Sequence, residues 1–410
     1  MTLSTSAPAP ERLHALDAVR GFALVAGIVF HACASFLPRP GGQPIWLVSD
    51  SHPSLGIGLV FHVLHIFRMA TFFLIAGFFA RLSLQRRGVA GFVKDRARRI
   101  ALPLAVGWPI LFAEIAAVTI WAAVSSAHGR PLPPPPKYPG FPAFPLTHLW
   151  FLYVLLWLYA GALASRALTR RLDPRGSLGP RADGLVRWAL ETPAGLAALA
   201  APTALAFLVT PDWRPWFGVP TPDSSLVPNL TAAAAYASAF GFGWLLHRQP
   251  GALALIGGRW RLNLAIALAA TAAELAIVGL APSIAIAPPG LATATLALLY
   301  PLAAWAWTFA VIGAALRFLD RASAWRRYLA DASYWLYLIH LPIVLALQAA
   351  VAPLPWPPLL KLALILGVAM PAMLASYQLL VRHSFIGATL NGPRPRRARI
   401  AAQAPAAAQA

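Results

Sequence analysis

Long apolar runs with few polar interruptions dominate the chain. About 20 apolar residues in a helix cross the ~30 Å hydrocarbon layer of a bilayer. The runs are continuous rather than alternating, which favours helices over the strands of a membrane barrel. The pattern therefore predicts an all-α, polytopic transmembrane helical bundle of about ten spans. These lie near residues 16–37, 57–80, 100–124, 148–166, 188–210, 229–247, 262–281, 290–316, 331–351 and 358–381.

The composition supports this prediction and limits where function can lie. Of the 410 residues, 59% are hydrophobic and 11% are charged, which is more apolar than one soluble core requires. No stretch is long and polar enough for a soluble domain, so function must lie in the helices and their short loops. The net charge of +20 would suggest nucleic acid in a soluble protein, but the positions of the charges argue against that partner.

The Lys and Arg residues lie almost entirely on one side of the predicted membrane. The N-terminus, alternate loops and the C-terminal tail hold 26 of them, and the other loops hold four. Positive loops stay in the cytoplasm, so both termini are predicted to be cytoplasmic, with the basic loops near anionic lipid headgroups. The predicted divisions are a cytoplasmic N-terminus (1–15), a transmembrane domain (16–381) and a disordered basic cytoplasmic tail (382–410).

The first apolar run carries an unusual set of polar residues. Arg20 and His31 are eleven residues apart, which places them on one helical face about 16 Å apart along the axis. Asp17, one turn before Arg20, can pair with it. Together these three residues interrupt a segment that otherwise resembles a signal peptide ending at Cys33, so the run is interpreted as a retained first span.

This spacing suits a long ligand with an anionic head and a reactive tail. Arg20 is expected near the cytoplasmic surface, with His31 deeper, toward the outer half of the membrane. An arginine binds phosphate by charge-assisted hydrogen bonds, and Arg96 and Arg99 lie in a basic run on the same side. A neutral imidazole can accept a proton from a hydroxyl. Acyl-coenzyme A has the required form, and His31 is then the candidate general base.

The second run adds a polar stripe of His62, His65 and Arg68 at three-residue spacing. The spacing predicts that all three face one cavity. The two histidines could be metal ligands, but the adjacent Arg68 and the lack of a nearby carboxylate argue against a metal. Gly77, in the same run, would let another helix approach closely.

Other ionisable residues lie inside the predicted spans. Glu274 and Lys361 have no polar neighbours within a turn or two and are expected to pair across helices or to lie near an interface. Glu114 remains open between structure and function. The proline-rich loop 130–145 is expected either to brace two helices or to offer Tyr138, Phe141 and Phe144 as a platform for a sugar.

Five segments together resemble the acyltransferase 3 family of membrane acyltransferases, and they cover most of the bundle in order. They are Leu16-Asp-Ala-Val-Arg-Gly21, Phe67-Arg-Met-Ala-Thr-Phe-Phe-Leu-Ile-Ala-Gly-Phe78, Phe92-Val-Lys-Asp-Arg-Ala-Arg-Arg-Ile-Ala-Leu-Pro103, His148-Leu-Trp-Phe-Leu-Tyr153 and Ser333-Tyr-Trp-Leu-Tyr-Leu-Ile-His-Leu-Pro342. Details around His65, Phe67-Arg-Met69, Ala76-Gly77 and Arg86-Arg87-Gly88 look most like the branch that succinylates osmoregulated periplasmic glucans. The chain departs from the family at Ala70-Thr71, where Pro-Leu is common.

The resemblance implies transfer of an acyl group from a cytoplasmic donor, commonly acyl-coenzyme A, to a hydroxyl of an extracytoplasmic glycan or glycolipid. It also implies a multi-pass protein of a bacterial inner membrane, and no permanently bound cofactor is expected. His31 matches the family's essential histidine, and Arg20 is the second predicted catalytic residue. Donor- or substrate-binding residues are predicted at Asp17, His65, Arg68, Arg96, Arg99, His148, Trp150 and His340. The alternative is a transporter or flippase of a polar or lipid-linked substrate, which also needs buried charges.

Overall fold

The structure, a computed structural model, describes residues 14–127, 139–249 and 251–392. Within these ranges it contains helices but no strands, which confirms the all-α prediction. The α-helices are α1 (His14–Cys33), α2 (Leu55–Arg96), α3 (Leu102–Ala127), α4 (Trp150–Leu172), α5 (Leu178–Glu191), α6 (Pro193–Leu208), α7 (Leu230–Leu246), α8 (Ala252–Gly258), α9 (Trp260–Val278), α10 (Leu291–Phe318), α11 (Ala324–Val351), α12 (Pro358–Ser376) and α13 (Phe385–Asn391).

Several of these helices are suited to crossing a membrane. In the described part of the chain, seven helical runs are long and apolar enough to span a bilayer, or eight if α5 and α6, bent by 105°, count as one span. One run of 73 residues, 55–127, covers two of the predicted spans, and α7 is a shorter apolar helix. The polytopic bundle is confirmed, whereas the count of about ten and the cytoplasmic termini stay predictions.

The basic segment 81–99 is helical, although the charge pattern suggested a loop. Helix α2 continues through it to Arg96, and a π-helical turn, Ala97–Ala101, leads directly into α3. Gly88 interrupts α2 with φ of 65°, a conformation that favours glycine because a Cβ is strained there. Gly88 therefore separates two helical segments of α2, and the arginines on both sides of it lie in helices.

Helix α1 lies in the middle of the bundle and packs against α2, α10 and α11. Helices α2 and α7 cross very closely at two glycines. A Cβ on Gly77 would lie 2.0 Å from the carbonyl oxygen of Phe240, and one on Gly243 would lie 1.9 Å from that of Leu74. The predicted close approach at Gly77 is therefore confirmed, and neither position tolerates a side chain without separating the helices.

The folded domain extends beyond its predicted end. Residues 385–391, assigned from sequence to the disordered tail, form α13. The Ser384 hydroxyl accepts a hydrogen bond from the Ile386 amide at 3.2 Å, and Asn391 Nδ2 donates to the Asp331 carbonyl at 2.8 Å. The prediction of disorder for this part of the tail was wrong because the contact of Asn391 with α11 cannot be read from local composition. Residues 393–410 lie outside the described residues.

Candidate active site

A cavity of about 1640 Å³ runs between α1, α2, α3, α4 and α11. All ten predicted site residues line it, so the structure brings them together, while their chemical roles remain predictions. The basic end is formed by Asp17, Arg20, Arg86, Arg87, Arg96 and Arg99. The opposite end is formed by loop residues Trp46, Thr147, Thr221, Asp223 and Ser224.

The imidazole of His31 is held by a second imidazole from α11. His31 Nδ1 and His340 Nε2 are 2.9 Å apart, and His340 Nδ1 lies 2.7 Å from the carbonyl oxygen of Tyr337. A carbonyl oxygen can only accept, so the ring proton of a neutral His340 lies on Nδ1 and its Nε2 is an acceptor. His31 Nδ1–H must then be the donor, which leaves the lone pair of His31 on Nε2. This pairing makes His31 Nε2 available as a base.

The loop after α1 and helix α11 also fix the backbone of His31. Gln348 Nε2 donates to the carbonyl oxygens of His31 at 2.8 Å and Ala32 at 3.1 Å. Its Oε1 accepts from Trp46 Nε1 at 3.0 Å, and the Trp46 ring stacks on the His31 ring with centroids 5.6 Å apart. Sequence reasoning missed Trp46 and Gln348. A polar glutamine inside an apolar run was the available signal, but only ionisable residues had been singled out.

His148 and Trp150 mark the start of α4 in the cavity wall. His148 Nε2 donates to the Leu338 carbonyl at 2.8 Å, and the His148 ring meets the His340 ring edge-on with centroids 5.2 Å apart. The Trp150 ring stacks on Tyr236 with centroids 5.4 Å apart. Both residues therefore shape the wall around the paired imidazoles.

The predicted stripe on α2 is only partly correct. His65 and Arg68 line the cavity, and both pack on Phe30: the His65 ring at a centroid distance of 5.4 Å and the Arg68 guanidinium carbon 3.9 Å from the ring centroid. His62 turns away, with Nδ1 3.1 Å from the Trp216 carbonyl oxygen and Nε2 3.5 Å from Glu274. Each three-residue step moves the side chain about 60° round the helix, so His62 and Arg68 point in directions about 120° apart.

At the basic end, several guanidinium groups converge on one carboxylate. Asp95 lies 2.6 Å from Arg87 Nη1 and 2.5 Å from Arg96 Nη2, and it is 3.2 Å from Arg99 Nε. Three cations facing one buried anion leave an excess of positive charge at this end of the cavity. Sequence reasoning missed Asp95, although its spacing of four residues from Arg99 was a signal.

Arg20 connects this end of the cavity to α11. Its Nη2 donates to the Ala330 carbonyl at 3.0 Å, and its guanidinium lies 3.5 Å from Asp17. The predicted pairing of Asp17 with Arg20 is confirmed. Arg20 thus both lines the cavity and bridges two helices.

The other buried charges form pairs outside the cavity. Lys361 Nζ lies 2.8 Å from Asp50 Oδ1 and also contacts the Ala352 carbonyl at 3.1 Å. Glu274 contacts His62, and Lys361 contacts Asp50. The expectation that each of these two residues pairs with a distant part of the chain is therefore confirmed. Glu114 is exposed on the outside of α3, away from the cavity. In the described residues no group of three or more His, Cys, Asp or Glu side chains is placed to hold a metal.

Only residues 139–145 of the proline-rich loop belong to the described part of the chain. Residues 128–138, including Tyr138, lie outside the described ranges. Phe141 is 87% exposed, whereas Phe144 packs on Trp108 with ring centroids 4.6 Å apart. Neither phenylalanine lines the cavity, so the expected sugar platform is not found at the cavity wall.

The fold and the site define a polytopic membrane protein whose helices enclose a cavity lined by arginines and paired histidines. The model of the acyltransferase 3 family, described as an acyltransferase domain, matches residues 13–378, and the chain belongs to this family. It is 26% identical over 186 residues to proteins named "Glucans biosynthesis protein C" from Salmonella paratyphi B and Salmonella enteritidis. These matches cover 45% of this chain and 47% of each relative, so the chain spans about half the length of the curated relatives it matches. No solved structure gives a significant match.

Proposed function

We propose that the protein is a membrane O-acyltransferase. It moves an acyl group from a cytoplasmic donor of the acyl-coenzyme A type to a hydroxyl of an extracytoplasmic glycan or glycolipid. One observation carries the proposal: a single cavity is lined at one end by an excess of arginines and, along its length, by the paired imidazoles of His31 and His340. Family membership supports acyl transfer.

The basic end suits the anionic head of the donor. Arg20 and the arginines around Asp95 supply bidentate donors for phosphate oxygens. Arg20 and His31 are eleven residues apart on α1, an axial separation of about 16 Å. A donor whose phosphates lie near Arg20 can therefore extend a flexible thioester arm along the cavity to His31.

The paired imidazoles suit removal of a proton from the acceptor. His31 Nε2 takes the hydroxyl proton as the oxygen attacks the thioester carbonyl. The carbon–sulfur bond then breaks, and the leaving thiolate takes the proton back from His31. Throughout, His340 Nε2 accepts from His31 Nδ1–H, which holds the base in the required tautomer and stabilises its charged form. His340 is thus a positioning residue.

The opposite end of the cavity suits a sugar. Asp223, Thr221 and Ser224 offer a carboxylate and hydroxyls for hydrogen bonds to sugar hydroxyls, and Trp46 adds an aromatic face beside His31. The relatives named for glucan biosynthesis support a glycan as acceptor. The charge pattern supports an orientation with this end outside the cytoplasm, as an extracytoplasmic acceptor requires.

Mass spectrometry of periplasmic and surface glycans tests the function. Cells that express the protein should carry an acyl modification that is absent from cells lacking it and from cells expressing His31→Gln. The glutamine keeps size and hydrogen bonding but cannot accept the proton, so transfer should fall by ~10²–10⁴, the usual contribution of a positioned base. His52→Gln makes the same change at an exposed loop histidine outside the cavity and should leave the modification intact. Glycans unchanged by loss of the protein would refute the proposal.

Transport of a polar or lipid-linked substrate is the second candidate, because the cavity reaches both ends of the bundle. The described helices contain one sharply bent pair, α5 with α6, rather than the matched pair of broken helices typical of many transporters. Substrate movement retained in His31→Gln would favour transport over transfer.

A further inference from the structure

Arg68 is a buried cation without a matching anion. Its residue exposure is 6%, and neither Nε nor Nη1 has a hydrogen-bond partner. Among the described residues, no acidic side chain lies within ion-pair distance of it. An unpaired charge in an apolar interior is strongly unfavourable, so the fold stabilises this guanidinium by other means or leaves it poised for a ligand.

The contacts around Arg68 hold it in place but do not neutralise it. Its guanidinium carbon lies 3.9 Å from the centroid of the Phe30 ring, and that ring also stacks on Phe61 and His65. A cation–π contact contributes about 0.5–2 kcal/mol, far less than hydration of a free guanidinium. The stack therefore orients the group while its positive charge remains directed to the cavity that Arg68 lines.

The position of Arg68 relative to His31 is fixed by α1. A Cβ built on Gly27 would lie 3.8 Å from Arg68 Nη1, and Gly27 precedes His31 by one helical turn, about 6 Å along the axis. Phe30, on which Arg68 stacks, is the residue next to His31. The guanidinium therefore lies within about one turn of the proposed base, on the side from which the donor arrives.

We propose that Arg68 is a catalytic residue that stabilises the oxyanion formed on the thioester carbonyl; this rests on the proposed function. When the acceptor oxygen bonds to the carbonyl carbon, the π electrons of the C=O bond move to its oxygen, and His31 Nε2 takes the hydroxyl proton. The negative oxygen then meets the fixed charge of Arg68. On collapse, the C=O bond reforms, the C–S bond breaks, and the thiolate accepts the proton from His31.

This arrangement gives rate rather than donor affinity. The donor carbonyl is neutral before attack and pairs only weakly with a guanidinium, whereas the oxyanion pairs strongly in a site that excludes water. Because the charge is already in position, little reorganisation accompanies the reaction. The guanidinium would also bind a carboxylate carried on the acyl group of the donor. Loss of oxyanion stabilisation lowers kcat, whereas loss of carboxylate binding raises donor KM.

Kinetics of Arg68→Met in reconstituted protein provide the test. The donors are acetyl-coenzyme A, which has no carboxylate on its acyl group, and malonyl-coenzyme A, which has one; the acceptor is the glycan fraction from cells lacking the protein. Released thiol reports the rate. Methionine replaces the aliphatic stem of the arginine and removes its charge, so kcat should fall by ~10²–10³ for both donors, the usual loss for an oxyanion donor, with little change in donor KM.

Chemical rescue separates charge from packing. In Arg68→Ala, added guanidinium should restore part of kcat, whereas urea, which is similar in shape but neutral, should not. Arg382→Met is the matched control: Arg382 also stacks on an aromatic ring, Tyr328 at 5.1 Å, and has an unpartnered Nε, but it does not line the cavity. Its kcat should be unchanged.

Three results would overturn the inference. A rise in KM confined to malonyl-coenzyme A, with kcat for acetyl-coenzyme A intact, would make Arg68 a binding residue for a donor carboxylate. Full activity of Arg68→Met would reduce Arg68 to a packing partner of Phe30. Absence of thiol release by the unsubstituted protein would remove the proposed function, and this inference with it.

Discussion

Replacement of His340 tests whether one imidazole positions the other. In the unsubstituted protein, His340 Nε2 accepts from His31 Nδ1–H at 2.9 Å. His340→Phe roughly keeps the volume of the ring but removes this acceptor. His31 can then carry its proton on either nitrogen, and its charged form loses one hydrogen bond. The first effect alone removes about half of the reactive tautomer if the two forms become equal in free energy.

The second effect is larger and sets the expected magnitude. A hydrogen bond to a charged group contributes about 1.5–3 kcal/mol, which corresponds to a fall in kcat of roughly 10- to 150-fold. Donor KM should change little, since the hydrogen bond strengthens only as His31 gains its proton. His340→Gln offers an amide oxygen as a substitute acceptor and should lose less activity than His340→Phe.

Thiol release from acetyl-coenzyme A by reconstituted variants measures these effects. Residues that act as a unit are not additive, so His340→Phe added to His31→Gln should cause almost no further loss. A full additional loss in the double variant would show that His340 acts independently of His31. Equal loss in the glutamine and phenylalanine variants would also contradict the hydrogen-bond argument.

Two further predictions concern the basic end of the cavity and the loop between α1 and α2. Arg20→Ala should weaken acyl-coenzyme A binding, measured by calorimetry. Arg20→Lys should recover only part of the affinity because an ammonium cannot form the bidentate contact. Unchanged affinity in Arg20→Ala would limit Arg20 to its contacts with Asp17 and the Ala330 carbonyl. Lys361→Met should lower the free energy of unfolding by about 3–5 kcal/mol because it leaves the Asp50 carboxylate buried and unpaired. Chemical unfolding in detergent measures this change. Lys361→Met combined with Asp50→Asn should recover much of the lost free energy of unfolding. If Lys361→Met alone were as stable as the parent, the pair would be solvated.

Local periodicity explains why much of the first helix could be predicted. Apolar runs of bilayer length leave helices as the structure that satisfies the backbone, and the eleven-residue spacing places Arg20 and His31 on one face of α1 in any bundle. Ionisable residues inside apolar runs are unfavourable against lipid, and His65, Arg68 and His340 identified part of the cavity wall in this way. Glu274 and Lys361, singled out by the same rule, pair outside the cavity. These conclusions depend only on neighbours within one helix.

Contacts between distant helices were decided by the tertiary structure alone. His340 is 309 residues from His31 and Lys361 is 311 from Asp50, so no spacing rule relates them. His62 contacts Glu274 of α9 and the Trp216 carbonyl instead of the cavity that His65 lines. The pairing of His31 with His340 sets which nitrogen is basic, and among the described residues no acidic side chain forms an ion pair with the buried Arg68. Both depend on which side chains the assembled helices place opposite each other, which a helical period does not encode.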